Sequence, residues 1–381
     1  GTTSQARASD IHIEPNGDKD DVLIRFRVDG QCHIYRRMPS ALRESLVARL
    51  KIMARLDIAE RRKPQDGKIP FRIGSRNIEL RMATLPTAGE NEDVVLRILT
   101  NTEPPPLDKM GFRQRNLTEL TRLVNQPYGL ILCVGPTGSG KTTSLHGMLA
   151  SINEVHRKIW TAEDPVEITQ PGLRQVQVHP QIGFTFAVAM RAFLRADPDV
   201  IMVGEMRDEE TASTGVEASL TGHLVFSTLH TNSAPETVTR LVDMGLEPFS
   251  FSDALLGVLA QRRLCTGCRE RYSATATELE EFCKYLGRHE VDRLTDSGVL
   301  KLWQAPGCSE CDNTGYRGRV ALHELLINNE AIREAIQRQS GTAQVRELSV
   351  SGGMTTLLQD GVVKCIEGLT DLKQVLAVCS R

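Results

Sequence analysis

The sequence predicts an α/β fold, in which a parallel β-sheet is covered by helices on both faces. Four short, continuous apolar runs recur between segments of helical periodicity, at Leu130–Val134, Ile159–Ala162, Val200–Val203 and Leu224–Ser227. Strands of this kind are typical of a sheet that is buried on both sides. The first run also leads into a glycine-rich loop and then a helix, an arrangement found in proteins with such sheets.

Composition limits the class of protein. The chain has 381 residues, which predicts two or three domains, and its 40% apolar and 25% charged residues are ordinary for a globular protein. The formal charge is −2 without a run of five Lys or Arg, so we expect no direct binding of nucleic acid or of an anionic membrane. The apolar runs are far shorter than the ~20 residues that span a bilayer. We expect a cytoplasmic protein and, since Gly1 opens a polar segment, further residues upstream.

Residues 1–100 are predicted to form a small α+β domain. Apolar and polar residues alternate in Val22–Val28 and Ile78–Met82, as in half-buried strands. Between them, Ser40 is expected to cap a helix, and Pro64–Gly67 is predicted to be a turn. The apolar positions of that helix recur at helical spacing, at Leu42, Leu46, Leu50 and Met53.

Three consecutive prolines mark residues 101–107 as a semi-rigid linker. We expect the α/β core in residues 108–262, a cysteine-bearing module in 263–325 and a helical C-terminal domain in 326–381. Within the last of these, Gly352-Gly353 and Gly361 are predicted to interrupt the helices.

The glycine-rich loop fits the P-loop pattern of nucleotide-binding proteins. In such a loop, backbone amides and the N-terminus of the next helix face the phosphates. Lys141 is expected to reach the β- and γ-phosphates of ATP, and the Thr142 hydroxyl is expected to hold Mg²⁺. A glycine-rich turn without a ligand is the structural alternative. The predicted nucleotide-binding residues are Gly135, Pro136, Thr137, Gly138, Ser139, Gly140, Lys141, Thr142 and Thr143.

Two acidic residues follow apolar runs and are candidates for catalysis. Glu205 comes shortly after Val200–Val203 and is expected to hold Mg²⁺ or its water. Glu163 follows Ile159–Ala162 and is expected to polarise the attacking water as a general base. A solvated loop carboxylate is the alternative for each. Together with the P-loop, the two carboxylates favour a hydrolase over a passive binder.

Two histidines, His223 and His230, lie on either side of the run Leu224–Ser227. They are seven residues apart, and an odd spacing sends strand side chains to opposite faces, so they are not expected to share a metal. One of them is predicted to sense the γ-phosphate, and a structural histidine remains the alternative for each.

The cysteines indicate a metal site. Four of the nine form two Cys-x-x-Cys pairs, Cys265/Cys268 and Cys308/Cys311, and each pair is able to hold one side of a tetrahedral Zn²⁺. The number and spacing of the cysteines are unlike those of a disulfide-rich scaffold. Reduced cysteines without a metal are the alternative.

Five segments of the chain together closely resemble the secretion ATPase superfamily, specifically the type II secretion and type IV pilus assembly ATPases. Nearly the whole chain is covered. In that family these segments are, in order, the N-terminal signature, Walker A, the aspartate box, Walker B and the histidine box. They are Ala8–Pro15, Gly135–Thr143, Thr161–Glu167, Leu194–Asp208 and Leu220–His230.

The resemblance implies a RecA-like core behind a PAS-like N-terminal domain. It implies catalytic roles for Glu163, Glu205 and His230 and a nucleotide-binding role for His223. It also implies that arginines of the N-terminal domain, matched here by Arg81 and Arg97, complete the ATP site, in cis or in trans; a solvated arginine is the alternative for Arg81.

The family acts as homohexamers, and the resemblance implies partners in an inner-membrane platform and cytoplasmic adaptors, with membrane contact only through them. The four cysteines favour assembly or secretion over pilus retraction. Secretion and pilus assembly stay open, since they share every motif quoted. The rival functions are a RecA-like DNA-uptake motor or helicase, disfavoured by the near-neutral charge and 4% aromatic content, and a non-hydrolysing nucleotide-sensing scaffold.

Overall fold

The structure, a computed structural model, describes residues 8–15, 21–28, 30–73, 76–99, 103–246, 254–295 and 298–379. The chain divides into two compact units, residues 1–103 and 104–381. Asn101 and Thr102 of the predicted linker lie outside the described residues.

The first unit contains a six-stranded antiparallel sheet with one helix packed on it. Its strands lie in the order β3-β2-β1-β6-β5-β4. Alternate residues such as Val22, Met82 and Val94 fill the core beneath the helix, where they contact its Val47. The predicted α+β character of this segment is therefore confirmed. The elements are β1 Asp10–Glu14, β2 Val22–Val28, β3 Gln31–Met38, α1 Arg43–Ala54, β4 Gln65–Ile73, β5 Arg76–Thr87 and β6 Asn91–Leu99.

Two local predictions in this unit were wrong. The expected turn Pro64–Gly67 is the start of β4, where Gln65 pairs with Thr84. Gly67 is required by packing rather than by a turn, because a Cβ there would lie 2.8 Å from the Ala54 carbonyl oxygen. Ser40 does not cap α1: it opens a short 3₁₀ turn, and the residue before α1 makes no side-chain cap.

The second unit is built on a seven-stranded sheet, and the predicted α/β fold is confirmed. Its strand order is β15-β12-β7-β11-β10-β8-β9. Neighbouring strands run parallel except for β12 and β15, which are antiparallel. The strands are β7 Gly129–Val134, β8 Ile159–Glu163, β9 Arg174–Gln177, β10 Val200–Val203, β11 Leu224–Leu229, β12 Ala254–Leu264, β13 Glu270–Ser273, β14 Lys301–Gln304 and β15 Tyr316–Ile327, of which β13 and β14 form a separate ribbon.

Helices cover both faces of this sheet, which explains the continuous apolar runs. Leu130 and Leu132 of β7 enter one core, whereas Ile131 and Cys133 of the same strand enter the other. Every residue of β7 is buried. The helices of the second unit are α2 Gln114–Val124, α3 Lys141–Ile152, α4 Phe186–Phe193, α5 Glu209–Leu220, α6 Ala234–Asp243, α7 Ala276–Leu286, α8 Arg288–Leu294, α9 Glu330–Gln337, α10 Thr342–Ser351, α11 Leu357–Ile366 and α12 Leu372–Cys379.

The cysteine-bearing segment is an excursion from this sheet. The predicted boundaries at residues 262 and 325 fall inside β12 and β15, which pair with each other at the edge of the sheet. A third core, with Phe282, Leu302, Val362 and Val375, joins the excursion to α11 and α12. The segment therefore shares its packing with both the sheet and the C-terminal helices.

The C-terminal helices differ from the prediction at one glycine. Gly352 and Gly353 end α10 as expected, but Gly361 lies inside α11. A Cβ at Gly361 would lie 2.5 Å from Val375 Cγ1, so close packing between α11 and α12 explains the glycine. Within the described ranges, no helix has the length and apolar character needed to cross a membrane.

Candidate nucleotide site and metal centre

The P-loop connects the carboxyl end of β7 to the amino end of α3. Three of its glycines, Gly135, Gly138 and Gly140, have φ values of +151°, +77° and +101°, which side chains rarely allow. A Cβ at Gly138 would meet nothing within 4 Å, so the loop backbone faces open space. The loop therefore presents main-chain amides and a helix N-terminus to that space, as phosphate binding requires.

Lys141 lies in this loop with its ammonium group held by main-chain carbonyls. Its Nζ donates to Gly135 O at 2.6 Å and to Pro136 O at 3.1 Å. Burial lowers the pKa of Lys141, and the carboxylate of Glu205 opposes that shift. The buried Ser139 hydroxyl has no hydrogen-bond partner among the described residues. A nucleotide phosphate fits both features, since it accepts from the hydroxyl and neutralises the ammonium.

Glu205 and His230 meet at the carboxyl ends of the parallel strands, where the P-loop also lies. They follow β10 and β11, and β11 lies between β10 and β7, so the carboxyl ends of the three parallel strands are neighbours. Glu205 Oε1 lies 3.2 Å from His230 Nε2, and its Oε2 accepts from Arg207 Nε at 2.6 Å. The Glu205 side chain is 19% exposed. The structure thus brings Lys141, Glu205 and His230 together, with the carboxylate held from two sides.

Glu163 is buried at the end of β8 with three of its about four acceptor positions in use. Its Oε1 accepts from the Thr161 hydroxyl at 2.6 Å and from Gln175 Nε2 at 3.0 Å. Its Oε2 lies 3.2 Å from Nε2 of His146, a residue of the P-loop helix α3. Gln170 fixes the other side of that imidazole, with Nε2 2.8 Å from His146 Nδ1. Glu163 is therefore linked to the P-loop through His146, a contact that sequence reasoning missed.

His223 lies at the amino end of β11, at the opposite end of the parallel strands from the P-loop. It precedes β11, its Nδ1 lies 3.1 Å from Ala218 O, and its own carbonyl accepts from Gly129 N at the start of β7. A six-residue strand, about 20 Å long, separates it from His230. His223 therefore lies away from the P-loop of its own chain, and the nucleotide-binding role that the resemblance implies for it stays a prediction.

Arg81 and Arg97 belong to a row of charged residues across the sheet of the first unit. Reading from β2 to β4, Arg27, Asp10, Arg97, Arg81 and Lys68 lie directly opposite one another on adjacent strands. Arg97 Nε donates to Asp10 Oδ1 at 3.0 Å, and Arg27 Nε lies 3.8 Å from Asp10 Oδ2. Like charges opposite each other are unfavourable in a sheet. Asp10 pairs with two of these cations and Glu79 lies 3.0 Å from Lys68 Nζ, so Arg81 and Arg97 are neighbours in a row that is partly neutralised by carboxylates.

Arg319 is a further basic residue at the P-loop that sequence reasoning missed. It lies in β15, and its Nη1 donates to Gly138 O at 3.2 Å. The contact joins residues that are 181 positions apart. The only signal in the sequence is the alternating pair Arg317 and Arg319, which does not indicate the strand's neighbour.

The four predicted metal ligands form one cluster, in which all the sulfur atoms lie within 4.8 Å of one another. The separations are 3.9 Å for Cys265–Cys308, 3.9 Å for Cys268–Cys311 and 3.8 Å for Cys308–Cys311. Sulfur atoms bound at ~2.3 Å to a tetrahedral Zn²⁺ are about 3.8 Å apart, whereas disulfide sulfurs are about 2.05 Å apart. The geometry fits zinc and excludes a disulfide.

Main-chain donors support the thiolate form of one cysteine of this cluster, Cys311, whereas burial raises the pKa of Cys268 to about 12. The backbone amides of Cys308 and Gly315 point to Cys311 Sγ, at 3.2 Å and 3.3 Å. Burial opposes ionisation, but these amides and the neighbouring thiols bring the pKa of Cys311 down to about 6. Such amide contacts are the usual outer support of a metal-bound thiolate.

Comparison with known proteins identifies close relatives. A family model described as "Type II/IV secretion system protein" matches residues 2–377. The chain is 43% identical over 374 residues to the type IV pilus assembly ATPase PilB of Thermus thermophilus, covering 97% of this chain and 41% of that protein. It is 45% identical over 385 residues to the type II secretion system ATPase E of Vibrio cholerae, covering 99% and 73%. The chain thus spans less than half of the first relative and about three quarters of the second.

Solved structures show a similar fold. The ATPase DotB of Legionella pneumophila has a TM-score of 0.70 and 22% identity, covering 99% of this chain and 93% of that chain. The pilus retraction motor PilT, solved with bound ADP, has a TM-score of 0.64 and 27% identity, covering 99% and 94%.

Proposed function

The chain belongs to the Type II/IV secretion system protein family and is one of its ATPases, and we propose that its ATP hydrolysis powers assembly of a pseudopilus or type IV pilus. The observation that carries this proposal is the convergence of Lys141, Glu205 and His230 at the carboxyl ends of the parallel strands. A cation in a phosphate-binding loop and a fixed carboxylate beside it are the components that phosphoryl transfer to water needs.

Each residue of the site has a distinct task. The P-loop amides and the α3 N-terminus bind the phosphates, and Lys141 exchanges its carbonyl partners for phosphate oxygens. Thr142 and Glu205 would hold Mg²⁺ or its water, and the ion supplies charge neutralisation when bound. His230 and Arg207 keep the Glu205 carboxylate in one orientation.

Glu163 is our candidate for the general base, and its three hydrogen-bonding neighbours restrict where water is able to approach it. Oε1 accepts from two donors, so water is able to approach only the remaining position of Oε2, beside His146. His146 is the donor that belongs to the P-loop helix, so nucleotide binding is able to act on it. We propose that this link makes the orientation of the Glu163 carboxylate toward water depend on an occupied P-loop.

The zinc cluster has a structural role in this proposal. The four cysteines would hold Zn²⁺ in a closed tetrahedral set, which is typical of structural rather than catalytic zinc. Such a site fixes both ends of the excursion between β12 and β15, and β15 carries Arg319, which contacts the P-loop.

The proposal extends to a homohexamer in which Arg81 and Arg97 complete the ATP site across a domain or subunit boundary. The position of Arg81 directly opposite Arg97 on adjacent strands supports this role, since a transferring phosphoryl group requires such charge. The arginines reach a P-loop only when units dock, which would couple hydrolysis to movement. The partners would be an inner-membrane platform and cytoplasmic adaptors, by analogy with the relatives.

Mixing inactive variants tests the arginine role. Chains with Glu205→Gln and chains with Arg97→Ala are combined at varied ratios, and the ATPase rate is measured after mixed rings are verified. Recovered activity is expected if Arg97 acts in trans, because some sites then have both intact groups. No recovery at any ratio would place Arg97 in cis or outside the site.

The biological output is tested in the organism that encodes the chain. The gene is replaced by wild type or by Lys141→Ala, and surface pili and secreted proteins are quantified. Loss of pili or of secreted protein in the Lys141→Ala strain is expected, and the affected output identifies the machine. Wild-type levels of both would contradict the proposed function.

A further inference from the structure

Glu324 is a buried carboxylate that joins the first residues of two helices. It lies in β15 and is 3% exposed. Its Oε1 accepts from the backbone amide of Ala234, the first residue of α6, at 2.5 Å. Its Oε2 accepts from the backbone amide of Leu357, the first residue of α11, at 3.2 Å. One side chain therefore connects the edge strand of the sheet with two helices that are distant in sequence.

Glu324 acts beside the ordinary N-caps of these helices and accepts from different amides. Ser233 caps α6 by accepting from Glu236 N, and Thr356 forms a capping box with Gln359 at the start of α11. Burying a carboxylate is unfavourable without compensation. Here two amide donors and the N-termini of two helices offset this desolvation, because both favour a negative charge. Because the first amides of two buried helix ends donate to the two oxygens of one carboxylate, Glu324 joins the helices to each other.

The surrounding backbone leaves space for this side chain. Gly257 lies opposite Glu324 in β12, and a Cβ at Gly257 would lie 2.6 Å from Glu324 Cγ. Burial raises the pKa of the Glu324 carboxyl, and the amides of Ala234 and Leu357 oppose that shift. The position of Glu324 therefore requires a glycine at residue 257 of the neighbouring strand as well as the two amide donors.

The α6 end of this connection is close to the nucleotide site along the chain. Ala234 follows His230 by four residues, and the short segment between them is bonded to α6, with Thr231 Oγ1 2.6 Å from Thr237 Oγ1. Residues 230–233, which we call the His230 segment, are thus held by β11 at one end and by the Glu324–Ala234 hydrogen bond at the other.

The α11 end of the connection belongs to the C-terminal helices. Val362 of α11 packs with Val375 of α12 in the core shared with the excursion. A shift of α11 relative to β15 would act on the carboxylate that also holds Ala234.

We propose that Glu324 is a positioning residue of the nucleotide site, which ties the His230 segment to α11 so that the C-terminal helices influence how His230 meets Glu205. The inference rests on the proposed function, because it assigns Glu324 an effect through His230. Glu324 touches neither the nucleotide nor the reacting atoms and acts only through these backbone contacts.

A double-mutant cycle tests the inference. The variants are Glu324→Gln, His230→Ala and the double variant, each checked for folding and measured for kcat and KM of ATP hydrolysis. Gln keeps one oxygen acceptor but presents an amide N–H₂ where the second donor lies. We expect kcat to fall about tenfold with KM within about twofold of wild type, since misplacement of a group near the chemistry affects the transition state.

The double variant separates positioning from simple loss of structure. If Glu324 acts through His230, the double variant has the kcat of His230→Ala alone. Losses that multiply, or full activity of Glu324→Gln beside an impaired His230→Ala, would overturn the inference alone. Full activity of His230→Ala, or no hydrolysis by the wild type, would overturn the proposed function as well.

A second pair of variants keeps the test valid if Glu324→Gln does not fold. Leu357→Pro removes the amide that donates to Glu324 Oε2, and Pro is tolerated as the first residue of a helix. The preceding residue, Thr356, has ψ 160°, which suits a following proline. Leu357→Ala is the matched control, because it loses the side chain and retains the amide. A lower kcat in Leu357→Pro than in Leu357→Ala is expected, and equal values would contradict the inference.

Discussion

Asp10 is expected to orient Arg97, and Asp10→Asn should therefore impair hydrolysis more than stability. Asp10 is 9% exposed at its side chain and accepts from Arg97 Nε at 3.0 Å, whereas Arg97 is 53% exposed. The Ser9 hydroxyl donates to the other carboxylate oxygen at 2.8 Å. Because Asp10 uses only the Nε of Arg97, the terminal nitrogens of the guanidinium are left to face an anion. Asn keeps the shape of the side chain and removes its charge.

The exposure of Arg97 determines how much Asp10→Asn changes the free energy of unfolding and how much it changes kcat. Ion pairs with an exposed partner contribute about 0.2–1 kcal/mol to folding, so Asp10→Asn should shift the free energy of unfolding by no more than this. When water is excluded around a bound phosphate, the same charge-assisted hydrogen bond contributes up to about 1.5–3 kcal/mol. Since ~1.4 kcal/mol corresponds to a factor of ten, we expect kcat to fall about tenfold or more.

The assay combines phosphate release with urea unfolding, and the chain provides a matched control. Glu14 forms the other arginine pair of β1, with Oε1 2.5 Å and Oε2 2.6 Å from Arg25 nitrogens, outside the row that contains Arg97. Glu14→Gln should retain turnover. Normal turnover in Asp10→Asn beside an inactive Arg97→Ala would refute the orientation argument, as would equal losses in both carboxylate variants.

Two further predictions concern the metal and a buried ion pair. Purified protein should contain about one Zn²⁺ per chain, absent from a Cys265→Ser/Cys308→Ser variant, because two remaining thiolates do not complete a tetrahedral set; elemental analysis of folded protein that finds no metal would contradict this. Lys51→Met should lower the free energy of unfolding by about 3–5 kcal/mol, because Lys51 Nζ lies 2.5 Å from Glu92 Oε1 with both side chains buried. Lys51→Met/Glu92→Leu should restore most of that loss in denaturant titrations, and additive losses would show that the pair is not coupled.

The local parts of the site were predictable from the sequence. The strand, loop and helix of the P-loop are consecutive, so their pattern specifies both the elements and their order. The apolar run of β7 predicted its burial on both faces, and two apolar cores indeed meet it. The same holds for the cysteine pairs, since each Cys-x-x-Cys is a local unit and only their approach to each other required the fold.

The remaining parts depend on contacts between distant residues. Asp10 and Arg97 are 87 positions apart and meet because β1 pairs with β6. Gly67 and Gly361 were predicted as a turn and a break, but each is explained by a neighbour that lies too close for a side chain. Periodicity reports which face of an element is apolar and gives no information on what packs there.

The direction of a strand decides which of its two ends lies at the nucleotide site. His223 and His230 both adjoin β11, and the resemblance assigned both to the nucleotide. In the fold, only the carboxyl end of β11 adjoins the P-loop, so the direction of the strand separates the two histidines.

The most direct test of the central claim compares nucleotide binding with phosphate release in three proteins. Wild type should bind ATP in the presence of Mg²⁺ and release phosphate continuously. Lys141→Ala should lose binding, because it removes the cation of the P-loop, whereas Glu205→Gln should retain binding and lose turnover. Equal ATP affinity in wild type and Lys141→Ala, or undiminished phosphate release by Glu205→Gln, would contradict the account.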